Sequence, residues 1–475
     1  MKQILALFLM IGLAGPVVAG KPNVLFIFAD DMTYEAIHSL GMDEIRTPNL
    51  DRLVEGGTTF THAYNSGAWH GAVCVASRTM LLTGRQLWHA NRVDNKKALQ
   101  EQFVDRGRCW SQLMSAAGYE TFMSGKWHVK ADTQQIFDHV RHERPGMPRS
   151  VKKAYNRPLE GQEDPWDPTD TSIGGFWEGG KHWSEVLGDD ALEFLGMAKK
   201  TDKPFFMYMA FNAPHDPRQS PQEFVDMYPV EKVKVPENFR EAYPYRDQIG
   251  CPHKLRDEHL APMPRTKHSI QVHRGEYYAL ITHMDAQIGR VLDALEANGQ
   301  AANTQIVFTA DHGLAVGRHG LLGKQNMYEH SVRVPFIVAG PGVPKGEKRE
   351  APVYLQDVIP TALEWAGAKV PDHIQFESVL PHLAGKGTPR KSIYGAYMKV
   401  QRAVTVDGYK LIVYPKVGKS RLYHLAEDPF EMTDLLEQKE GRAKAVKRAK
   451  QLLQELRRLE ADMGGDLMLD EAWVQ

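Results

Sequence analysis

Three carboxylates directly follow short apolar runs that predict buried strands. Asp30 and Asp31 come after residues 23–29, and Asp311 comes after residues 304–310. Adjacent carboxylates repel each other unless a cation or a proton lies between them, although an aspartate is also a favoured helix N-cap. A third carboxylate at a second strand end supplies further oxygen ligands of the kind that a hard cation prefers. The pattern therefore favours a metal site.

Basic side chains also lie beside the predicted strand ends. Each one alone is more often a surface charge or a structural histidine. Together, three cations and two histidines that face a metal would form a pocket for an oxyanion held from several sides. The residues of this set are Arg78, Lys126, His128, His215 and Lys324.

The cysteine content leaves at least one thiol unpaired. Cys74, Cys109 and Cys251 are too few, and odd in number, for a disulfide framework. An exposed thiol is reactive in an oxidising compartment, so the unpaired cysteine raises the question of whether it remains a thiol.

Composition narrows the class of partner. The 475 residues carry 58 Lys plus Arg against 59 Asp plus Glu, so overall charge gives no case for nucleic acid or an anionic membrane surface. An anionic ligand must be recognised by a local cluster. At 42% hydrophobic content the chain can form a large core.

The residue pattern over positions 1–19 predicts a secretory signal peptide. A positive charge at Lys2 precedes an apolar stretch at 4–13, and the small residues Val17 and Ala19 precede the predicted cleavage site. A short membrane anchor is the alternative, but the stretch is shorter than a span and is interrupted by glycine and proline. We therefore expect a periplasmic or secreted protein without a membrane span.

The elements that must position these side chains indicate an α/β domain over residues 20–385. The apolar runs at 23–29, 204–211 and 304–310 lack alternation, as is typical of strands buried on both faces of a sheet covered by helices. Ligands in such folds gather at the carboxyl ends of the strands. A helix is predicted over 277–295, where apolar residues recur every three or four positions. A second helix is predicted over 357–366.

Residues 386–475 predict a smaller C-terminal subdomain. Short antiparallel strands are expected, with a turn at Asp407-Gly408, followed by a charged helix. The predicted strands cover 393–398, 402–406 and 410–414, and the helix covers 437–463.

Two segments, 131–200 and 216–267, predict long ordered loops because proline, tryptophan and charged residues are frequent in them. The first contains aromatic side chains that either stack on sugar rings or simply pack the segment. These are Trp166, Trp177, His182 and Trp183.

The run Cys74-Val75-Ala76-Ser77-Arg78, followed by Thr83-Gly84-Arg85, resembles the signature of the formylglycine-dependent sulfatases, in which Cys-x-Pro-Ser-Arg continues to Thr-Gly-Arg. The resemblance extends over nearly the whole mature chain and implies an alkaline phosphatase-like fold with a mixed, mostly parallel sheet flanked by helices. The further matching segments, in order, are 23–31, 47–51, 125–128, 214–215, 311–313 and 334–335.

The resemblance implies a role for each candidate residue. Cys74 would be oxidised to formylglycine by a maturation enzyme, and its hydrated aldehyde would supply the attacking oxygen. One calcium ion would be held by this side chain together with Asp30, Asp31, Asp311 and the residue after it, His312. Arg78 would stabilise the formylglycine, Lys126 and Lys324 would bind the sulfate, His128 would lie near the nucleophile, and His215 would protonate the departing oxygen.

Two positions depart from the family pattern. Ala76 stands where proline is usual, which bears on recognition by the maturation enzyme. His312 stands where asparagine or another oxygen donor is commoner, and an imidazole is a less natural ligand for Ca²⁺. His312 is therefore either an unusual ligand or a residue just outside the coordination shell.

The leading prediction is hydrolysis of a sulfate monoester on a carbohydrate. Alternatives are an aryl or choline sulfatase, a phosphonate or phosphate monoester hydrolase, and a sulfated-glycan-binding protein without turnover. Phosphate esters carry one more charge, and the sequence offers no second carboxylate set for another metal. The complete motifs argue against a protein that only binds.

Overall fold

The computed structural model describes residues 20–474, so the predicted signal peptide lies outside the described residues. The strands are β1 Asn23–Ala29, β2 Gly57–Phe60, β3 Ala63–Tyr64, β4 Gly67–Ala68, β5 Glu120–Lys126, β6 His139–Arg144, β7 Trp177–Glu178, β8 Lys181–His182, β9 Phe205–Ala210, β10 Thr304–Ala310, β11 Arg333–Val334, β12 Phe336–Ala339, β13 Glu347–Arg349, β14 Val353–Tyr354, β15 Ser392–Tyr397, β16 Gln401–Val406, β17 Tyr409–Tyr414 and β18 Lys419–His424. The α-helices are α1 Pro48–Gly56, α2 Val73–Thr83, α3 Leu87–Asn91, α4 Lys96–Leu99, α5 Trp110–Ala116, α6 Trp183–Ala198, α7 Gln222–Val225, α8 Lys267–Ala297, α9 Glu329–Val332, α10 Val358–Trp365, α11 Leu380–Leu383 and α12 Arg442–Asp462.

The central sheet has eight strands in the order β13-β2-β12-β10-β1-β9-β5-β6. The five strands from β10 to β6 are parallel. Strand β12 is antiparallel to both of its neighbours. The prediction of a mixed, mostly parallel sheet is confirmed.

The three apolar runs form the middle of this sheet. Strands β1 and β10 have the predicted bounds, and every residue in them is buried. Strand β9 is buried throughout as well and ends one residue before the predicted run does. Because the strands are parallel and in register from Asn23↔Thr304 to Ala29↔Ala310, the residues that follow them reach the same edge of the sheet.

Helices pack on the sheet, and one hydrophobic core contains side chains from both the strands and the helices. The predicted helix over 277–295 lies within α8, which begins ten residues earlier at Lys267 behind the N-cap Thr266. The predicted helix over 357–366 is confirmed as α10, with its first residue in a preceding 3₁₀ turn.

The prediction of loops over 131–200 is wrong at strand β6, at helix α6 and at the short β7–β8 hairpin. Strand β6 extends the sheet at its edge, where half-exposed charged side chains replaced the apolar run that would have indicated a strand. Helix α6 buries Leu187, Ala191 and Phe194 at helical spacing, a signal that the surrounding tryptophans and glycines obscured. Segment 216–267 has only short helical turns, as predicted.

Strands β15 to β18 form an antiparallel meander, and α12 contacts β15, β16 and β17. The three predicted strands are confirmed to within one residue at each end, whereas β18 was missed. Helix α12 begins five residues later than predicted. Strand β4 pairs with β15, so the sheet includes residues from both sides of the boundary at 385, and that division stays a prediction. Within residues 20–474 no helix is both long and apolar enough to cross a membrane.

Helix α1 is held at its N-terminus by a carboxylate from α8. Its own N-cap, Thr47, makes no side-chain capping bond. Asp285 instead accepts hydrogen bonds from the backbone N–H groups of Asn49 (3.1 Å) and Leu50 (2.7 Å), and from the Asn49 amide (3.0 Å). Burial raises the pKa of Asp285 to about 6, although these bonds favour the ionised form. The contact ties two core helices together.

Replacing Asp285 by alanine is expected to lower the free energy of unfolding by about 2–4 kcal/mol, because the backbone N–H groups of Asn49 and Leu50 and the Asn49 amide lose their acceptor. Urea denaturation at neutral pH measures the loss. Asp293→Ala on the same helix is the matched control: its side chain is 68% exposed and pairs with Arg52, so a change below about 1 kcal/mol is expected. Equal losses in the two variants would contradict the capping role.

Candidate active site

The carboxyl ends of four neighbouring parallel strands form the floor of the site. Asp30 and Asp31 follow β1, Asp311 follows β10, Lys126 ends β5, and His215 lies five residues after β9. The backbone locks these ends together, since Asp30 N–H donates to Ala213 O and Asp311 N–H donates to Ala29 O. Residues far apart in sequence are thus brought side by side.

Each carboxylate of the floor contacts its own cation. Lys126 Nζ bonds Asp30, and Arg78 Nε donates to Asp311 at 3.1 Å. Lys324 Nζ lies 2.9 and 2.8 Å from the two oxygens of Asp31. All six side chains are at most 3% exposed. Each buried charge is stabilised by its partner, because burying an unpaired ion away from water costs several kcal/mol of free energy.

Cys74 is the second residue of α2, and Arg78 follows one turn later on the same face. The Cys74 sulfur lies 3.2 Å from His312 Nε2 and 4.0 Å from Asp31 Oδ1. The N-terminus of this helix adds its positive dipole end to the side-chain cations.

The electrostatic surroundings separate Cys74 from the other two cysteines. Burial raises the pKa of Cys109 to about 12 and that of Cys251 well above its usual value. Burial opposes ionisation of Cys74 as well, but Lys126, Lys324 and His312 outweigh it and hold the pKa of this thiol well below its usual range. The unusual cysteine is therefore the one at the strand ends.

The donor set fits a hard divalent cation. Ligand atoms of Asp30, Asp31, Cys74, Asp311 and His312 lie within 4.8 Å of one another, and all five residues are buried. Asp30 Oδ1 is buried without a hydrogen-bond partner. Burial, and next the negative charge of Asp311, raise the pKa of Asp30 well above its usual value. Three converging carboxylates with an unpartnered oxygen are what such an ion would bind.

His312 lies among these carboxylates. Its Nε2 is 3.2 Å from Asp31 Oδ1 and 3.4 Å from Asp311 Oδ1. Burial alone would lower the pKa of His312, but the two aspartates raise it to about 9. This position is compatible with either of the two roles expected for His312.

Two residues that the sequence did not single out hold the floor in shape. Asp31 has a left-handed backbone with φ 69°. The Tyr277 hydroxyl donates to Asp31 O at 2.8 Å and accepts from Thr33 N–H at 3.2 Å, which fixes this turn. The Asn65 amide donates to the carbonyl of Asp311. Tyr277 was visible in the sequence only as a member of the α8 pattern.

A cavity of about 450 Å³ opens above the floor. Four predicted residues line it, whereas the remaining predicted residues lie beneath, buried in the floor. Its lining is Gly71, Ala72, Cys74, His128, Gly146, Met147, His215, Leu255, Arg256, Asp257, Lys324 and Gln325. Arg256 and Asp257 come from the loop segment 216–267, which has no periodicity from which a site could be predicted.

The two histidines in the cavity wall differ in their hydrogen bonding. His215 Nδ1 donates to Asp216 O at 2.7 Å, and its Nε2 accepts from Arg256 at 3.1 Å. His128 has a left-handed backbone, and its Nδ1 is buried without a partner. Burial lowers the pKa of His128, so the neutral imidazole is favoured.

The four aromatic residues considered for sugar stacking do not line this cavity. Trp166 is 6% exposed and His182 is fully buried, where its Nδ1 accepts the Ser184 N–H at the start of α6. Trp177 packs against His182 in the β7–β8 hairpin. The Arg144 guanidinium carbon lies 4.5 Å from the centre of the Trp183 ring. The burial and contacts of these side chains favour the second alternative, that they pack the segment.

Comparison with known proteins agrees with the geometry. The Sulfatase family model matches residues 22–368, and the model described as N-sulphoglucosamine sulphohydrolase, C-terminal, matches residues 317–461. A sulfatase of Formosa agariphila is 30% identical over 86% of this chain and 82% of its own length. An N-acetylglucosamine-6-O-sulfatase of Bacteroides thetaiotaomicron is 28% identical over 91% of this chain and 85% of its own.

Solved structures share the fold. A protein bound to its substrate D-glucosamine-2-N,6-O-disulfate superposes with a TM-score of 0.72 at 26% identity, covering 94% of this chain and 98% of that one. A phosphonate monoester hydrolase of Agrobacterium radiobacter has a TM-score of 0.70 at 20% identity, covering 92% and 96%, which is a likeness of fold alone. The chain therefore belongs to the sulfatase family of the alkaline phosphatase-like superfamily and is a sulfuric ester hydrolase.

Proposed function

We propose that this protein hydrolyses a sulfate monoester of a carbohydrate, with a formylglycine made from Cys74 and one calcium ion at the strand ends. The observation that carries the proposal is the convergence of Cys74 with three buried carboxylates and three buried cations beneath one cavity. Asp30, Asp31, Asp311 and the modified side chain would hold the ion, and His312 would join them or lie just outside.

The hydrated formylglycine would supply the attacking oxygen, and calcium would offset negative charge on the sulfate. Lys324 lines the cavity beside Cys74 and would bind a sulfate oxygen from above. Lys126, fixed on Asp30, would bind another from the floor. Arg78 donates to Asp311 and to Lys126 O, so it is already oriented beside residue 74 before substrate arrives. Such fixed cations stabilise charge that develops during the reaction without reorganising.

His215 is the proposed proton donor to the departing oxygen. It lines the cavity, where its Nδ1 donates to Asp216 O. To act as the acid, His215 must also carry a proton on Nε2, so the hydrogen bond that this nitrogen accepts from Arg256 must give way to one that it donates to the departing oxygen. An alkoxide is a poor leaving group, so a sugar sulfate needs this proton more than an activated ester does.

A carbohydrate is supported as the leaving group by relatives rather than by aromatic stacking. An N-acetylglucosamine-6-O-sulfatase and a ulvan-active sulfatase, the latter 27% identical over 88% of this chain, are among them. An aryl or choline sulfate is the competing substrate class. The cavity, at about 450 Å³, has the size of a small-molecule site.

Maturation depends on a partner. A formylglycine-generating or equivalent enzyme must accept Ala76 in the signature and reach Cys74 before the chain folds, because the residue is 2% exposed in the fold. Export under the predicted signal peptide to the periplasm or the medium belongs to the same proposal.

Mass spectrometry of the tryptic peptide from Leu53 to Arg78, from protein made in its native host, is expected to show loss of the thiol and gain of an aldehyde at residue 74.

Cys74→Ala should lower turnover of the best sugar sulfate by at least about 10³-fold with the melting temperature nearly unchanged, because the nucleophile is lost and the change is small. Cys109→Ala, also buried but outside the cavity, is the matched control and should remain active. An unmodified thiol throughout an active preparation would refute the proposal.

His215→Ala is expected to lower kcat for a sugar sulfate by about 10²- to 10⁴-fold. The fold-loss in kcat for 4-nitrophenyl sulfate should be at least about ten times smaller, because nitrophenolate needs little protonation. Sulfate release measures both. His142→Ala, whose side chain is 52% exposed outside the cavity, should leave both rates unchanged. Equal losses on the two esters would remove His215 from the role of acid.

A further inference from the structure

Arg256 is a cavity residue that the proposed chemistry does not use. It follows Leu255 in the long loop segment and keeps 32% of its side chain exposed, while the cations of the floor are at most 3% exposed. Its position between solvent and the floor is where the non-reacting part of a substrate would have to lie.

The guanidinium is held in place from several directions. It bonds Asp257 and the sulfur of Met147, and its Nη1 lies 3.5 Å from Asp216 Oδ1. Its Nη2 donates to His215 Nε2 at 3.1 Å. A side chain fixed in this way loses little conformational freedom when it binds a ligand, so a hydrogen bond from it is worth more.

The contact with His215 sets what Arg256 can reach. To take a proton, the leaving-group oxygen must replace Arg256 as the hydrogen-bond partner of His215 Nε2, and the displaced guanidinium then lies beside that oxygen. A hydroxyl on the carbon next to the sulfated carbon is then the substrate group most readily brought within reach of the guanidinium. Apart from residues assigned to the reaction, the polar side chains of the described lining are Arg256, Asp257 and Gln325.

The charges around Arg256 indicate which group it would bind. Asp216 and Asp257 both contact it or lie within ion-pair distance, and both side chains are only 4% exposed. Two carboxylates already offset the single positive charge, so little attraction remains for a further anion. A neutral oxygen that accepts an N–H hydrogen bond suits this environment.

We propose that Arg256 binds a hydroxyl group on the carbon adjacent to the sulfated carbon, and that the protein is therefore specific for ring sulfates with a free neighbouring hydroxyl. Asp257 is a positioning residue, since it holds the guanidinium and is itself held by the Gln325 amide at 2.6 Å. This inference rests on the proposed function, because His215 defines where the leaving group lies.

Binding to the Cys74→Ala protein tests the inference without turnover. Ring-sulfated isomers of galactose and glucose are titrated calorimetrically, and the isomer bound most tightly is compared with its deoxy analogue, which lacks the hydroxyl next to the sulfate. Adding Arg256→Met should weaken binding of the hydroxyl-bearing sugar by about 10- to 100-fold and leave that of the deoxy sugar nearly unchanged. Arg256→Lys, which keeps the charge but loses the planar fork, should give an intermediate loss.

Arg246→Met is the matched control, since this arginine lies outside the cavity lining in the same loop segment. It should change neither affinity. Equal weakening of the two sugars by Arg256→Met, or no effect on any isomer, would overturn the role of Arg256. Failure of the proposed function is distinguishable, because it would appear as absence of sulfate release by the mature enzyme whatever the binding data show.

Discussion

The site depends on one constraint, which is that three carboxylates share a nearly dry space at the ends of parallel strands. Moving a charge out of water costs several kcal/mol even after the protein relaxes. Asp30, Asp31 and Asp311 are tolerated there because each has its own cation within the same layer. Carboxylates and cations arrive from different elements, so the floor forms only when the whole sheet edge is assembled.

The C-terminal sheet supports the cavity from the side. Gln401 on β16 donates its amide to Gln325 O at 2.7 Å and to Ile249 O at 2.8 Å. Cys251 donates to the same carbonyl of Gln325 at 3.1 Å. These contacts hold the loop that carries Lys324 against the loop that carries Arg256. The antiparallel meander thus helps to position side chains that lie before it in the sequence.

The sequence was most informative where a physical rule is local. Buried parallel strands are apolar throughout, which is why β1 and β10 were predicted to the residue, and polar residues after such strands predict a site at one sheet edge. The family resemblance added roles that spacing alone does not supply, and those roles fall on residues that the fold brings together.

Long-range contacts were what the sequence could not indicate. Arg256 reaches the cavity from a segment without periodicity, and Tyr277 acts on Asp31 across 246 positions of sequence. Edge strand β6 lacked the apolar signal because its side chains face solvent. For the aromatic residues at 166–183 both alternatives stayed open, because composition cannot tell a ring that packs in the core from one that faces a ligand.

As proposed, the carboxylates of the floor together bind one divalent cation. Calorimetric titration of chelator-treated protein with Ca²⁺ tests this most directly, with Asp30→Asn as the comparison, because Asp30 Oδ1 is the buried oxygen without a partner. We predict one ion per chain for the wild type, and affinity at least about tenfold weaker for Asp30→Asn, since a ligand charge is lost. No binding by the wild type, or equal binding by both proteins, would contradict it.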